Sequence, residues 1–157
     1  MPKPVTVSVD VPHDREQVFE FLDVMANHEP FNDHLLRNWQ LSGPTRGVGS
    51  KALTEVRALG VADRVEIEVV EAEPPMRIVE RNTALRAGRV GQGTYTLQPL
   101  HTGGTRIDFE YRWVRAPLAD RLTAPLVRAY IRRNNKIAMR RLADRLASTA
   151  STPPSSE

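Results

Sequence analysis

The chain contains no cysteine, and that absence removes several kinds of chemistry at once. A disulfide framework, a thiolate metal site and a cysteine nucleophile all need the missing thiol. Long apolar runs are absent too, because no hydrophobic stretch approaches the roughly 20 residues of a membrane-spanning helix. The first residues also lack the apolar core of a secretory signal. The sequence therefore predicts a cytoplasmic protein with no integral membrane association.

Lysine is scarce as well, since only Lys3, Lys51 and Lys136 stand among the 22 basic residues. This arginine bias is typical of a G+C-rich bacterial genome. The formal net charge is +3, far below the dense positive charge with which nucleic-acid-binding proteins displace counterions. We therefore expect no nucleic-acid partner. The glycine pair at 47–49 precedes a strand pattern rather than a helix, so no phosphate-binding loop and no cofactor are predicted.

The rest of the composition is that of an ordinary globular domain. The 157 residues are 40% hydrophobic and 26% charged, which suits one domain with its own core. We expect that domain to cover residues 1–147. The small, polar and proline-containing segment 148–157 is predicted to be a disordered tail. Nothing in the composition predicts the oligomeric state.

The hydrophobic periodicity divides the chain into elements. Residues 4–11 alternate valine with polar side chains, which predicts a strand. Asp14 then has the position of a helix N-cap, helical spacing continues to the break at 27–30, and a further helical turn is predicted at 31–36. Six more strands are predicted between turns that contain glycine or proline, at 37–43, 50–58, 61–73, 76–84, 89–99 and 105–114. The short turns between them predict antiparallel neighbours.

A long amphipathic helix is predicted over 117–147. Pro125 lies inside this segment, which predicts either a kink or a helix that restarts at a Thr123 cap. One arc of the helix is apolar and the opposite arc is basic. The apolar arc contains Leu126, Val127, Tyr130, Ile131, Ile137 and Ala138, and the basic arc contains Arg128, Arg132, Lys136 and Arg140.

Several local phrases of the sequence are similar to one known superfamily. They lie at 7–22, 43–44, 47–50, 69–78, 91–97 and 103–107. Over roughly residues 5–146 the chain thereby resembles the START-like superfamily, also called SRPBCC, which includes polyketide cyclases, dehydrases and lipid-transfer domains. The resemblance implies an α+β helix-grip fold, in which a curved antiparallel sheet of about seven strands wraps a long C-terminal helix and two short helices follow strand one. It also implies an internal cavity but no particular reaction, because the superfamily hosts carriers, enzymes and regulators.

Asn134 is the most informative polar residue, because it falls near the centre of the apolar arc beside Tyr130. A buried amide without a hydrogen bond costs about 1–3 kcal/mol. We therefore expect Asn134 to bond either a ligand in the cavity or a strand residue or buried water.

Glu80 and Asn82 share one face of their predicted strand, and the register of that strand stays open. If this face points inward, burial raises the pKa of Glu80 and makes it a candidate catalytic acid or base. Otherwise Glu80 is a surface carboxylate, and the available partners are Arg77, Arg81 and Arg106.

Aromatic and histidine side chains complete the candidate ligand contacts. Tyr95, Tyr111 and Trp113 could stack on an aromatic ligand or pack in the core, and Trp113 is the better ligand contact at the end of its strand. His28 and His34 are expected at the cavity mouth, since the segment after the first helix forms part of the entrance in START-like proteins. Their spacing fits no standard ligand motif and no third ligand is evident, so no metal is predicted.

Three functions are compatible with the sequence. The first is a domain that binds a hydrophobic, polyketide- or lipid-like small molecule in the cavity. The second is a cofactor-independent polyketide cyclase, aromatase or dehydrase that uses Glu80, Tyr111 or a histidine at the mouth for proton transfer. The third is an interaction module that contacts an acidic protein or an anionic membrane through the basic final helix.

Overall fold

The computed structural model describes residues 1–58 and 60–150, without the side chain of residue 150. Within this part of the chain the strands are β1 (Val5–Val11), β2 (Leu36–Ser42), β3 (Lys51–Ala58), β4 (Val61–Glu73), β5 (Arg77–Ala84), β6 (Val90–Pro99) and β7 (Thr105–Arg115). The helices are α1 (Arg15–Asp23), α2 (Glu29–Asn32), α3 (Leu118–Leu122) and α4 (Ala124–Ala150), with a short 3₁₀ helix at Met25–His28.

The seven strands form one curved antiparallel sheet in the order β1-β7-β6-β5-β4-β3-β2. The strands β2 to β7 lie side by side in the order in which they occur in the chain. β1 pairs with β7, with Val5 opposite Tyr111. The register shifts in β4 between Val69 and Glu71, an irregularity of the kind that bends a strand. Each predicted strand is confirmed to within one residue at either end.

The helices after β1 begin where the sequence supplies their caps. The Asp14 side chain accepts a hydrogen bond from the backbone N–H of Gln17 at 2.9 Å, which caps α1. Pro30 occupies the first turn of α2, where its missing N–H costs nothing. This short helix therefore begins earlier than the turn predicted at 31–36.

A break between two helices accommodates Pro125. Thr123 separates α3 from α4, and Pro125 is the second residue of α4, so no interior hydrogen bond is lost. The predicted restart is therefore confirmed. α4 runs on to Ala150, so residues 148–150 are helical rather than part of a tail. The predicted disorder of residues 151–157 lies outside the described residues.

The main core lies between α4 and the inner face of the sheet. Met139, Leu142 and Leu146 of α4 pack there in one cluster with Val7 and Ile67 of the sheet. A smaller cluster joins Val5, Trp113 and Ala116 near the start of α4. The placement of Leu126 in the apolar arc is wrong, because this residue, in the first turn of α4, is 59% exposed.

Candidate ligand-binding site

A cavity of about 170 Å³ lies between α4 and the inner face of the sheet. Its walls are mainly apolar side chains from α2, α4 and the strands β2 to β7. An engineered apolar cavity of about 150 Å³ is large enough to hold benzene. The space here therefore suits one ring or a short branched chain.

β5 directs Glu80 and Asn82 into this cavity. Glu80 lies opposite Gly93 of β6, where an added β-carbon would come within 3.0 Å of Glu80 Oε1 and 2.9 Å of the Phe109 ring. Contacts this short would force the Phe109 ring or the Glu80 carboxyl group to move. Glycine at position 93 therefore makes the space in which the Glu80 carboxyl group sits.

The Glu80 carboxyl group is buried without a cation beside it. The residue is 5% exposed, and its Oε2 atom has no hydrogen-bond partner among the described residues. Burial raises the pKa of Glu80 to about 7, although a hydrogen bond with the Asn82 side chain partly opposes the increase. Near neutral pH this group therefore exists as both the acid and the carboxylate.

The interpretation of Glu80 as a surface carboxylate paired with arginine is wrong. Arg77 pairs with Glu71 at 2.8 Å, and Arg106 pairs with Asp10 at 2.9 Å. Arg81, the next residue along β5, is exposed because alternate side chains of a strand point to opposite faces. All three predicted partners therefore stay on the solvent side of the sheet.

His28 is buried beside Glu80, and its predicted place at the cavity mouth is wrong. The residue is 2% exposed, and its Nε2 atom lies 2.6 Å from the carbonyl oxygen of Leu22. Because a carbonyl can only accept, Nε2 carries the proton, and burial lowers the pKa of His28 so that the ring is neutral. Nδ1 is then a bare acceptor, 4.0 Å from Glu80 Oε2. The resemblance placed this histidine at the cavity entrance, whereas its contact with Glu80 of β5 places it inside.

His34 lies outside the cavity, in an adjoining surface groove. Its Nε2 atom is 3.1 Å from the backbone oxygen of Asn134, so it joins the α2–β2 connection to α4. Burial lowers the pKa of His34. Among the described residues, no group of three His, Asp or Glu side chains is placed to hold a metal ion.

Two adjacent asparagines of α4 face the cavity, and they differ in their hydrogen bonds. Asn134 Nδ2 donates to the backbone oxygen of Tyr130 at 2.9 Å, within its own helix. Asn135 Nδ2 is buried and has no partner among the described residues. The polar group that is free to meet a ligand is therefore Asn135, which was not predicted from the sequence. The spacing of Asn135 with the buried residues Ala138, Met139 and Leu142 is the signal that could have found it.

The aromatic residues divide between the cavity and the core. Tyr95 and Tyr111 line the cavity, and the Tyr95 ring lies edge-on to the His28 ring at 5.8 Å. Trp113 does not line it, so its placement as the better ligand contact is wrong. The Trp113 indole instead donates to Asp120 at 3.0 Å, a structural bond that fixes the ring in the smaller cluster.

Arg89 lines the cavity at its other end and was not predicted. Its Nε and Nη2 atoms donate to the two Asp120 oxygens at 2.5 and 2.6 Å. Such a bidentate pair holds the guanidinium group in one orientation. Asp120 lies 31 positions further along the chain, so no local pattern could have shown the pair.

The fold and the site together define a helix-grip domain with an internal cavity that contains a protonatable carboxyl group. A family model described as polyketide cyclase / dehydrase and lipid transport matches residues 3–147. The chain belongs to this family, so the predicted superfamily is confirmed.

Solved structures share the fold at low sequence identity. A protein from Thermus thermophilus is 18% identical with a TM-score of 0.72, over 95% of this chain and 100% of that one. A Staphylococcus aureus protein of unknown function is 10% identical with a TM-score of 0.71, over 96% and 98% of the two chains. DynU16, a protein in the dynemicin biosynthetic locus, is 24% identical with a TM-score of 0.64, and this chain covers 48% of its length. No curated protein matches the sequence significantly.

Proposed function

We propose that this domain binds a small, largely apolar molecule that carries one carbonyl or hydroxyl group. One observation carries the proposal: Glu80 Oε2 and Asn135 Nδ2 are both buried, both line the cavity and both lack a hydrogen-bond partner among the described residues. A buried polar group left without a partner costs about 1–3 kcal/mol. A ligand oxygen between these two groups would recover part of that free energy.

The chemistry of the two groups limits the ligand. Asn135 Nδ2 can only donate, whereas the Glu80 carboxyl group donates as the acid and accepts as the carboxylate. A carbonyl oxygen can accept from both groups while Glu80 is protonated. The volume of about 170 Å³ limits the enclosed part of the ligand to roughly one ring.

Two probes of the same shape test this proposal. Acetophenone presents a carbonyl oxygen, and α-methylstyrene has a methylene group in its place. We expect saturable binding of both probes in an NMR titration of the isotope-labelled protein, with acetophenone bound about tenfold more tightly because it makes a buried hydrogen bond. The Asn135→Leu variant should lose most of that difference.

A variant that fills the cavity provides the control. Ala138 is buried and lines the cavity, so Ala138→Leu should exclude both probes while the protein stays folded. Absence of saturable binding by the unmodified protein would contradict the proposed function. Binding that Ala138→Leu leaves unchanged would place the probe elsewhere.

Proton transfer by Glu80 is the second candidate function. A carboxyl group with a pKa of about 7 beside a cavity suits the removal of a proton from the carbon next to a carbonyl, a step that cyclases and dehydrases need. In D₂O the Glu80 carboxylate would take a methyl proton of bound acetophenone and leave the enolate. The Glu80 acid would exchange that proton for a deuteron from the solvent and return the deuteron to the same carbon. We expect exchange detectable by NMR, increasing as the pH rises through about 7, and absent in Glu80→Gln. A background rate that this variant leaves unchanged would favour a carrier.

An interaction module based on the basic arc of α4 has less support. The Arg128 guanidinium group donates to the backbone oxygens of Lys3 and Pro4 at 3.0 and 3.3 Å. Arg141, a basic residue of α4 outside that arc, pairs with Asp33. These two arginines therefore hold other segments of the same chain.

A further inference from the structure

The exposed apolar side chains of this domain are concentrated at one end of the sheet. Of the ten large hydrophobic residues that are most exposed in the described part of the chain, seven lie at this end. They are Met1, Val61, Leu85, Val114, Leu118, Leu122 and Leu126. The two most exposed are Leu118 and Leu122, at 70% and 75%, one turn apart on α3.

Strand pairing brings these residues together although they are distant in sequence. Val61 begins β4 opposite Ala58 at the end of β3. Leu85 lies in the turn between β5 and β6, and Val90 of β6 pairs with Arg115 at the end of β7. The Arg89–Asp120 ion pair fastens α3 to the same end. We call this surface the α3 end. It is made by the end of β3, the start of β4, the β5–β6 turn, the end of β7 and α3.

The cavity reaches the α3 end. Ala58 and Ala84, the last residues of β3 and β5, line it together with Arg89, which precedes β6. The Arg89 side chain there is 31% exposed, whereas Glu80 and His28, elsewhere in the lining, are buried. One part of the cavity lining therefore belongs to the α3 end.

Arginine is interleaved with the exposed apolar residues at this end. The arginines are Arg37, Arg57, Arg64, Arg86, Arg115 and Arg121. None of the six forms a salt bridge with another described residue, although Arg86 and Arg121 donate to the backbone oxygens of Ala62 and Ala116. The nearby acids are engaged otherwise: Asp63 accepts three backbone N–H groups, Glu55 accepts from Asn38, and Asp120 pairs with Arg89.

We propose that the α3 end docks on the surface of an anionic membrane. Leu118 and Leu122 would enter the boundary between headgroups and acyl chains, while the surrounding arginines contact lipid phosphates. Charge decides between this partner and a second copy of the chain, because two copies would bring the same excess of arginine over acidic residues face to face. The contact is peripheral, and no helix of the described residues is long and apolar enough to cross a bilayer. This inference goes beyond the proposed function and does not depend on it.

Co-sedimentation with vesicles of the full-length protein tests the inference. We expect binding to vesicles that contain roughly 30% phosphatidylglycerol, weak binding to pure phosphatidylcholine, and a decrease as salt rises. The double variant Leu118→Ser, Leu122→Ser should lower the bound-to-free ratio about tenfold, because it removes the inserted apolar surface. The double variant Arg57→Gln, Arg115→Gln should weaken binding to the anionic vesicles alone.

The matched control lies at the opposite end of the sheet. Leu41 and Val48 there are 53% and 57% exposed, so Leu41→Ser with Val48→Ser makes the same chemical change away from the α3 end. This control should bind vesicles as the unmodified protein does. Failure of the unmodified protein to bind anionic vesicles at low salt, or equal losses in the two serine variants, would overturn the inference. A concentration-dependent dimer in sedimentation velocity that only Leu118→Ser, Leu122→Ser dissociates would overturn it in favour of a second copy.

Discussion

Glu80 and Asp120 are both buried carboxyl groups, and their surroundings are opposite. Asp120 is 3% exposed and accepts hydrogen bonds from Arg89 and Trp113. Burial acts to raise the pKa of Asp120, but these bonds outweigh it and the net pKa is lowered. Glu80 is buried to the same degree, has no arginine within reach, and its pKa is raised to about 7.

The contrast separates a structural carboxylate from a candidate functional one. Asp120 is satisfied by protein groups and ties α3 to β6 and β7. Glu80 keeps one oxygen without a partner, facing a cavity. Burial of an acid therefore says little about its role until its partners are known. Perturbed carboxyl groups that lack a structural partner are the better candidates for a site.

Removal of the Asp120 charge should have the largest effect on stability. In Asp120→Asn the Arg89 guanidinium group loses its counter-ion while Trp113 keeps an acceptor. Because Arg89 is about one-third exposed, we expect the free energy of unfolding to fall by about 2–3 kcal/mol, below the usual loss for a fully buried pair. Urea denaturation at pH 7 measures it. Asp10→Asn, which breaks the exposed pair with Arg106, should change little, and equal losses in the two variants would contradict the structural role of Asp120.

Burial of the ionised Glu80 side chain should lower the free energy of unfolding by an amount that depends on pH, and Glu80→Gln should reveal it. The pKa of Glu80 is about 7 in the folded protein and 4.5 ordinarily, so the folded state favours the protonated acid. Its stabilising contribution is complete below pH 4.5 and is lost as the pH rises through about 7. Glu80→Gln stays neutral, so we expect it to gain about 2–3 kcal/mol relative to the unmodified protein between pH 4.5 and pH 8. Urea denaturation across this range measures the gain.

A surface variant controls for general effects of pH. Glu20 is exposed on α1, and Glu20→Gln should follow the unmodified protein at every pH. Parallel pH profiles for Glu80→Gln and the unmodified protein would mean that the Glu80 carboxyl group is solvated or paired.

The fold could be predicted from the sequence because its signals are local. Valine alternation in β1, the Asp14 cap and glycine- or proline-containing turns specify each element within a few residues of itself. The break before α4 was predictable for the same reason, since proline restricts only its own turn. Leu126 was misplaced because periodicity shows which face is apolar and does not show where its covering partner ends.

The site was less predictable because its features depend on contacts between distant segments. The direction of Glu80 needed the register of β5, and the burial of His28 needed the packing of the 3₁₀ helix against β5 and β6. The Arg89–Asp120 pair joins two charged residues, of types that are usually exposed, from distant segments of the chain. No single-sequence pattern specifies such pairs, because a change of one position in register reverses which residues point inward.

The smallest of these effects should distinguish Asn135 from its neighbour. Replacement of Asn135 by leucine removes a buried N–H group without a partner, so Asn135→Leu should raise the free energy of unfolding by about 1 kcal/mol in the absence of ligand. Asn134→Leu gains the same helix propensity but loses the bond from Nδ2 to Tyr130, so we expect a smaller change. The difference between the two free energies of unfolding in urea therefore combines the cost of the unpaired Asn135 amide with the value of the Asn134–Tyr130 bond. If Asn135→Leu is instead the more destabilised variant, its amide already has a partner in the folded protein, and Glu80 alone is left to recognise a ligand oxygen.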